Sequence, residues 1–287
     1  MTTLFQELNN KQVICFSDLD DTLFASLSRL STVNAKPEIT VLDKGITKGQ
    51  RFLRTMLNDA YVVPVTARDY ETFKRELDLY KFMIDGEVLI DYGAVRLFSD
   101  FDENDEIFFT VDDLYQEHIE STFKLNTGKT IKEALLEFHA ELNDAFLNAN
   151  IRVSLKEENI NGKVYPCYVK VQLSEYEGEQ YCFNVFECAE AMIRINKVLN
   201  KNSLYNHNKI QMVSIKSGII LLPNVCTKEF AVKQMLNALK EVAPDMPTMS
   251  AANDKSDLAF ALLTDYTILA NETKPKAKEW ILETLDY

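Results

Sequence analysis

Three short apolar runs, each followed by polar residues, constrain the fold of this chain most strongly. They are Val13–Phe16, Tyr61–Val65 and Ile219–Leu222. Runs of this length are typical of strands that are buried on both faces, as in parallel sheets. In open α/β sheets, the residues that follow such strands lie at the edge where ligands bind. We therefore expect the three strands to end at one edge of a parallel sheet.

Helix start signals follow the same runs. Thr47 and Gln50 have the spacing of a capping box, and Asp69 and Thr227 each precede an amphipathic segment. The alternation of strand and helix predicts an α/β fold with a Rossmann-like, doubly wound parallel sheet. Pro64 lies inside the second run and lacks a backbone donor, so we expect that strand to be irregular or to start late.

The middle of the chain has a different pattern, which predicts a second α+β unit inserted into the first. It contains an acidic turn at 100–106, an amphipathic helix near 131–147, a hairpin with Asn161-Gly162 as its turn, and a helix near 185–199. We assign residues 1–91 and 212–287 to the core and residues 92–211 to an inserted cap domain of ordinary domain size.

Composition excludes several classes of partner. The net charge of −13 at pH 7 would repel nucleic acid and anionic lipid, whose binders rely on clustered positive charge. The 5 cysteines are scattered without a Cys-x-x-Cys pair, so we interpret them as reduced thiols. No basic-then-apolar leader or long apolar span is present in the sequence. We expect a cytoplasmic protein that binds neither nucleic acid nor membrane.

The segment after the first run carries the strongest chemical signal. Asp18 and Asp20 follow the strand two positions apart, and Thr22 adds a hydroxyl. Carboxylates this close repel each other, so keeping both ionised favours a hard cation such as Mg²⁺ beside them. For an isolated Asp-x-Asp, an acidic turn that caps the next helix is the commoner explanation.

The segment Asp18-x-Asp20-x-Thr22 at a strand end resembles the first motif of the haloacid dehalogenase superfamily. That resemblance implies a Ser or Thr after a second strand to contact the phosphoryl group, and Thr66 is in that place. Alone, Thr66 would be read as a helix cap. Arg68 beside it is equally compatible with binding an anionic substrate and with being an ordinary surface arginine.

The third motif of the family places a lysine near a helix start. Pro223-x-x-x-x-Lys228-x-x-Ala231 resembles the form found in the phosphatase branch. A helix N-terminus disfavours a cation, but a bound phosphate would offset that effect. A solvated surface lysine is the alternative.

The fourth motif of the family supplies more carboxylates for the metal, and this chain departs from it. The segment Ala252-Asn253-Asp254 has alanine for the usual glycine and asparagine for the leading aspartate. Asn253 still offers a carbonyl oxygen, but without charge, so affinity for Mg²⁺ should fall. Asp254 is the alternative ligand, and Asp257 matches the second acid, which the resemblance places on a metal-bound water or on Lys228.

Together the motifs resemble those of the sugar-phosphate phosphatases of this superfamily, including the sucrose-phosphatase, trehalose-phosphatase and Cof-like groups, which carry a large α/β cap. The resemblance implies hydrolysis of a small phosphorylated metabolite, with a sugar phosphate favoured, through an aspartyl-phosphate on Asp18. Asp20 would be the general acid and base. Mg²⁺ would be held by the region of Asp18, Asp20 and residues 253–257, with Thr22, Thr66 and Lys228 around the phosphoryl group. A monomer or small homo-oligomer is expected.

Several alternatives remain open from the sequence. The same fold supports phosphotransfer between sugar positions, and the loss of an acid at Asn253 leaves a catalytically weak phosphate-binding regulator as a further alternative. Tyr92 replaces the asparagine of the family's Asn-Gly-Ala turn, so no role of that asparagine is carried over. In the cap, the candidate sugar-facing side chains are equally explained as core residues; they are Tyr165, Tyr168, Lys170 and Tyr181.

Overall fold

A computed structural model describes most of the 287-residue chain. The described residues are 8, 11–20, 22–23, 55–77, 84, 86–104, 106–147, 149, 151–173, 175–177, 180–182, 185–215, 217–253 and 255–269. The predicted capping box of Thr47 and Gln50 lies outside them, as does Asp254. Within the described residues, no helix combines the length and the apolar character needed to cross a membrane.

The described elements alternate between strands and helices. The strands are β1 Val13–Ser17, β2 Ala60–Pro64, β3 Glu87–Ile90, β4 Val95–Phe101, β5 Ile107–Val111, β6 Arg152–Ile160, β7 Lys163–Gln172, β8 Glu175–Glu177, β9 Gln180–Cys182, β10 Ile210–Ile215, β11 Gly218–Pro223, β12 Thr248–Ala252 and β13 Tyr266–Leu269. The α-helices are α1 Tyr70–Arg75, α2 Asp113–Thr127, α3 Ile131–Ala145, α4 Val185–Leu199, α5 Ser203–Asn206, α6 Lys228–Val242 and α7 Lys255–Ala261.

The chain divides into two compact units, and the first contains the predicted parallel sheet. This unit comprises residues 1–112 and 228–287. Its four parallel strands lie in the order β13–β12–β1–β2, so β1 is hydrogen-bonded on both sides. Residues 14–17 of β1 are completely buried, as expected for a strand inside an α/β sheet. A second, antiparallel sheet of order β3–β4–β5 belongs to the same unit.

Pro64 ends β2 and does not interrupt it. Backbone amides alternate sides along a strand, and the Val65 N–H donates to the Ser17 carbonyl of β1 at 2.8 Å. The missing donor of Pro64 therefore faces away from β1, towards β3. On that side the pairing is an isolated bridge between Val65 and Leu89. The irregularity that the sequence predicts is thus confined to one edge of the strand.

The helix starts follow the sequence signals. Asp69 caps α1, because its side chain accepts a hydrogen bond from the Thr72 N–H at 2.8 Å. The helix that follows the third apolar run is α6, which begins at Lys228 and buries residues such as Ala231 and Met235. These helices place residues of the first unit at the sheet edge where the candidate site lies.

The second unit comprises residues 113–227 and is built on an antiparallel sheet of order β10–β11–β7–β6. Asn161 and Gly162 both have positive φ, 53° and 81°, and form the predicted turn between β6 and β7. The predicted amphipathic helix is α3, which Thr130 and Glu133 start with a capping box. Residue burial alternates along β7: Tyr165 is buried, whereas Tyr168 and Lys170 lie half-buried on the other face. The side chain of Tyr181 lies outside the described part.

The prediction that all three apolar runs join one parallel sheet is wrong for the third. The run Ile219–Leu222 forms most of β11, which pairs antiparallel with β10 and with β7. β11 is buried along its whole length, because it lies between two other strands. A strand that is buried on both faces has the same continuous apolar pattern whether its neighbours run parallel or antiparallel.

The units also differ in extent from the predicted domains. The sequence assigns residues 92–211 to the insertion, whereas the second compact unit begins at Asp113 and ends at Thr227. β4 and β5 stay with the first unit because they pair in sequence with β3. β10 and β11 belong to the second unit because β11 pairs with β7.

Candidate active site

Adjacent parallel strands bring three of the sequence motifs to one sheet edge. Ser17 is in register with Pro64 on one side and with Ala251 on the other. The residues that follow these strands therefore meet at their carboxyl ends, as in other open α/β sheets. The Asp18 N–H still donates to the Ala251 carbonyl at 3.0 Å, which ties the first motif to the fourth.

Asp18, Lys228 and Asp257 form a buried ionic cluster. The Lys228 Nζ donates to Asp18 Oδ1 at 2.8 Å and to Asp257 Oδ1 at 2.7 Å. Thr22 Oγ1 donates to the other oxygen of Asp18, Oδ2, at 3.3 Å. All four side chains are buried. Residues from three distant sequence motifs thus converge on one carboxylate.

The charges of this cluster do not cancel. Two carboxylates and one ammonium leave one net negative charge in a buried place. Burial raises the pKa of Asp18 to about 7, against the lowering effect of Lys228 and with a further raising effect of Asp257. Burial acts to lower the pKa of Lys228, but the two carboxylates outweigh it, and the pKa lies above its ordinary value. Lys228 is therefore a permanent cation at this site.

Asp20 is held by an arginine of the second motif. Arg68 donates two hydrogen bonds to the Asp20 carboxylate, from Nε to Oδ2 at 2.9 Å and from Nη2 to Oδ1 at 2.7 Å. The same guanidinium also forms an ion pair with Glu76, just beyond α1. The guanidinium of Arg68 is thus directed at a carboxylate of the candidate site, and binding of an anionic substrate by Arg68 stays a prediction.

Thr66 lies at the end of the second motif, fully buried. Its Oγ1 accepts a hydrogen bond from the Arg68 N–H at 3.1 Å, a local turn that fixes the backbone between the two residues. Its own N–H donates to the Leu89 carbonyl at 2.8 Å. Thr66 is therefore placed at the sheet edge by β3 as well as by β2.

Tyr92 is a site residue that sequence reasoning left without a role. Asp91, Tyr92 and Gly93 have successive positive φ values of 47°, 62° and 94°, and the Tyr92 N–H donates to the Thr66 carbonyl at 3.0 Å. Burial raises the pKa of the Tyr92 phenol to about 12, and Lys228, Asp18 and Asp257 all act on it electrostatically. The turn itself was visible in the sequence, but nothing there showed that a tyrosine would project towards these charges.

Asn253 occupies the position where the family's leading acid is expected. Its Nδ2 donates a hydrogen bond to the Asp20 main-chain carbonyl at 2.8 Å. Asp257, the second acid of the motif, accepts a hydrogen bond from Lys228 at 2.7 Å. The fourth motif thus contacts the first motif at Asp20 and, through Lys228, at Asp18.

The donor set fits Mg²⁺ in number, though with little charge. Among the described residues, no group of three His, Cys, Asp or Glu side chains could hold a metal ion. However, Mg²⁺ typically takes one or two carboxylates and keeps several waters. Asp18 supplies a carboxylate and Asp20 a carbonyl, and the Asn253 amide supplies an oxygen if it rotates by half a turn. The 2.8 Å between the Asn253 amide and the Asp20 carbonyl is close to the roughly 3 Å expected between neighbouring ligands at Mg–O distances of about 2.0–2.1 Å.

Comparisons with known proteins identify the fold. No family model and no curated protein matches the sequence. Among solved structures, IMP-nucleotidase of Plasmodium falciparum matches with a TM-score of 0.50 and 14% identity over 97% of this chain and 70% of that one. Sucrose-phosphatase from Synechocystis sp. PCC6803, in complex with sucrose and phosphate, matches with a TM-score of 0.49 and 15% identity over 95% and 88%. A haloacid dehalogenase-like hydrolase from Bacillus subtilis matches with a TM-score of 0.45 and 14% identity over 94% of this chain and 83% of that one.

At such identities these likenesses concern the fold alone. The match to IMP-nucleotidase, at a TM-score of 0.50, agrees with the α/β fold that the sequence predicted. What the site does is a separate question, which depends on the residues of this chain.

Proposed function

We propose that this chain is a phosphoric monoester hydrolase that acts on a small phosphorylated metabolite of the sugar-phosphate class. The observation that carries the proposal is the buried Asp18 carboxylate, held by Lys228 at 2.8 Å and by Thr22 at 3.3 Å at the carboxyl edge of a parallel sheet. A carboxylate fixed beside a permanent cation is suited to attack an anionic phosphoryl group.

In the proposed reaction, one oxygen of Asp18 attacks phosphorus while the bond from phosphorus to the ester oxygen breaks. Asp20 donates a proton to the departing alkoxide, which leaves as an alcohol. Water then attacks the aspartyl phosphate as Asp20 takes its proton. Inorganic phosphate leaves and the Asp18 carboxylate is restored.

Other residues of this chain would position the phosphoryl group and balance its charge. Lys228 and the hydroxyls of Thr22 and Thr66 lie around Asp18 or at the same sheet edge. Mg²⁺, held by the Asp18 carboxylate, the Asp20 carbonyl and Asn253, would supply further positive charge against the phosphoryl oxygens. Arg68 would hold Asp20 in position between the two steps.

This proposal includes four further parts: dependence on Mg²⁺, a sugar phosphate as substrate, a monomeric or small homo-oligomeric state and a cytoplasmic location. The structural neighbour whose name includes sucrose-phosphatase supports the substrate class by analogy of fold. The net charge of −13 supports the expectation that nucleic acid and anionic membranes are not partners.

The experiment that tests the proposal measures phosphate release from a panel of phosphomonoesters with millimolar MgCl₂. We expect the wild type to release inorganic phosphate and Asp18→Asn to lose this activity while keeping its circular dichroism spectrum. Asp245→Asn serves as the control, because Asp245 is an exposed carboxylate of the same unit. This variant should stay active.

Two other outcomes would point to the alternatives. A rearranged sugar phosphate without free phosphate would identify a phosphomutase. No reaction with any member of the panel would favour a catalytically weak phosphate-binding regulator, which the missing acid at Asn253 makes a specific second candidate.

A further inference from the structure

Asn253 stands where the resembled motif has an aspartate, and its side-chain amide contacts the Asp20 carbonyl. Asn253 follows β12, whose last residues are fixed on both sides: Ala251 pairs with Ser17, and Ala252 pairs with Leu269. From this fixed backbone, the Asn253 Nδ2 reaches the Asp20 carbonyl at 2.8 Å. The contact is half-buried and joins segments 233 residues apart.

The amide at this position performs part of what a cation would do. A main-chain carbonyl near buried charges must be satisfied by a hydrogen bond, water or an ion. The N–H of Asn253 directs a partial positive charge at the Asp20 oxygen, so that oxygen is satisfied without metal. An aspartate here would offer no donor and would add a negative charge next to the cluster of Asp18, Asp257 and Lys228, which already has one negative charge in excess.

We propose that Asn253 is a positioning residue that stands in for the divalent cation: it holds the Asp20 backbone in place before any metal binds and thereby lowers the affinity of the site for Mg²⁺. To bind the ion through its oxygen, the amide must turn about its last side-chain bond and give up the hydrogen bond to Asp20. The inference rests on the proposed function only for the assignment of the Asp20 carbonyl to the cation.

The test compares thermal unfolding and metal binding of the wild type with those of Asn253→Asp and Asn253→Ala. In EDTA, we expect both variants to unfold at a Tm about 2–4 °C below the wild type, because each loses the bond to Asp20. In MgCl₂, the Tm of Asn253→Asp should rise further than that of the wild type. By calorimetric titration with MgCl₂ alone, Asn253→Asp should bind about tenfold or more tightly, since ligand charge sets affinity for hard cations.

Asn253→Ala separates the hydrogen bond from the charge. It removes the donor without adding a carboxylate, so it should be less stable in EDTA but gain no affinity for Mg²⁺. It also keeps the proposal testable if Asn253→Asp does not fold without metal. Asn143→Asp is the matched control, because the Asn143 amide likewise donates to a main-chain carbonyl, that of His139 at 2.9 Å, in the other unit. It should leave Mg²⁺ affinity unchanged.

Two results would overturn the proposal. One is that both Asn253 variants are as stable as the wild type in EDTA. The other is that the wild type already binds Mg²⁺ as tightly as Asn253→Asp, with Asp254→Ala abolishing the binding; Asp254 would then be the ligand. Neither readout uses catalysis, so a wild type without phosphatase activity would refute the proposed function and leave the role of Asn253 decided by the Tm and the titration.

Discussion

Lys228 begins α6, where the positive end of the helix dipole opposes a cation. Two carboxylates within 2.8 Å more than offset this field, and the ring of Phe260 lies 5.8 Å from the ammonium. A buried ammonium without such partners would be strongly unfavourable. The lysine is therefore kept charged and fixed by groups that do not themselves depend on a substrate.

Arg68 has a comparable role for Asp20, and its arrangement leads to a prediction about kinetics. The guanidinium fork binds both oxygens of Asp20 and also pairs with Glu76. Lysine keeps the charge but cannot form the two parallel hydrogen bonds. In Arg68→Lys, the proposed general acid loses its fixed orientation, and we expect kcat to fall by about 10–100-fold. KM should change little, because the guanidinium of Arg68 contacts the protein carboxylates of Asp20 and Glu76. Steady-state kinetics on the best substrate of the panel measure both constants.

Arg75→Lys provides the control for that substitution. Arg75 also pairs with Glu76, at 3.6 Å, but its side chain is exposed to solvent, unlike that of Arg68. The kcat of Arg75→Lys should equal that of the wild type. A rise in KM with an unchanged kcat in Arg68→Lys would contradict this assignment and would support direct binding of the substrate by Arg68.

The sequence could predict which side chains meet at the site, but not how they pair. Carboxylates and hydroxyls that follow neighbouring strands must come together, so the convergence of Asp18, Thr66 and Asn253 could be anticipated. The orientation of the Asn253 amide and the engagement of Arg68 with Asp20 depend on tertiary distances. No local pattern records them. The projection of Tyr92 depends on a left-handed backbone, which a non-glycine residue rarely adopts.

At the scale of single elements, β11 shows where periodicity stops being informative. Its run of apolar residues correctly predicts a buried strand, and its burial is complete from Gly218 to Pro223. Direction and partner are set by contacts with β7 and β10, which lie elsewhere in the chain. The polar segment after β11 therefore resembled the ends of β1 and β2 without sharing their sheet.

Gly218 is the residue that permits β11 to lie against β7, and this leads to a prediction about stability. Its φ is +152°, and a Cβ atom there would lie 2.1 Å from the Val171 carbonyl oxygen and 2.9 Å from the Leu173 nitrogen. Both are backbone atoms that cannot move away without breaking the strand pairing. We expect Gly218→Ala to lower the free energy of unfolding by about 2–4 kcal/mol, measured by urea denaturation.

Gly128→Ala tests whether the loss of stability in Gly218→Ala comes from the close approach of β11 to β7 rather than from the backbone conformation of the glycine. Gly128 follows α2 with a φ of +73°, and a Cβ there would meet nothing within 4 Å. Only the strain of a left-handed alanine remains, so we expect a loss of about 1–2 kcal/mol. Equal losses in the two variants would show that contact with β7 does not determine the stability at Gly218.

For the whole molecule, the insertion of one unit into another follows from strand pairing. β4 and β5 continue the hairpin order that begins at β3, so the first unit extends to Asp112. Composition changes earlier, near residue 92, and the sequence placed the boundary there. Domain limits set by pairing between distant strands are not visible in composition, which explains why both predicted limits precede those of the compact units.

The net charge of the molecule leads to a prediction about ionic strength. With a net charge of −13 at pH 7, the whole protein repels a phosphomonoester dianion at long range, even though Lys228 attracts the dianion once it is inside the site. Salt shortens the Debye length to about 8–10 Å near 0.1–0.15 M and screens the long-range repulsion more than the buried contacts. We expect kcat/KM to rise by about twofold between about 10 and 150 mM NaCl, with kcat unchanged because it reports the bound complex. Sucrose at matched osmolarity should leave both constants unchanged. A fall in kcat/KM with salt would show instead that positive charge around the site controls the approach of the substrate.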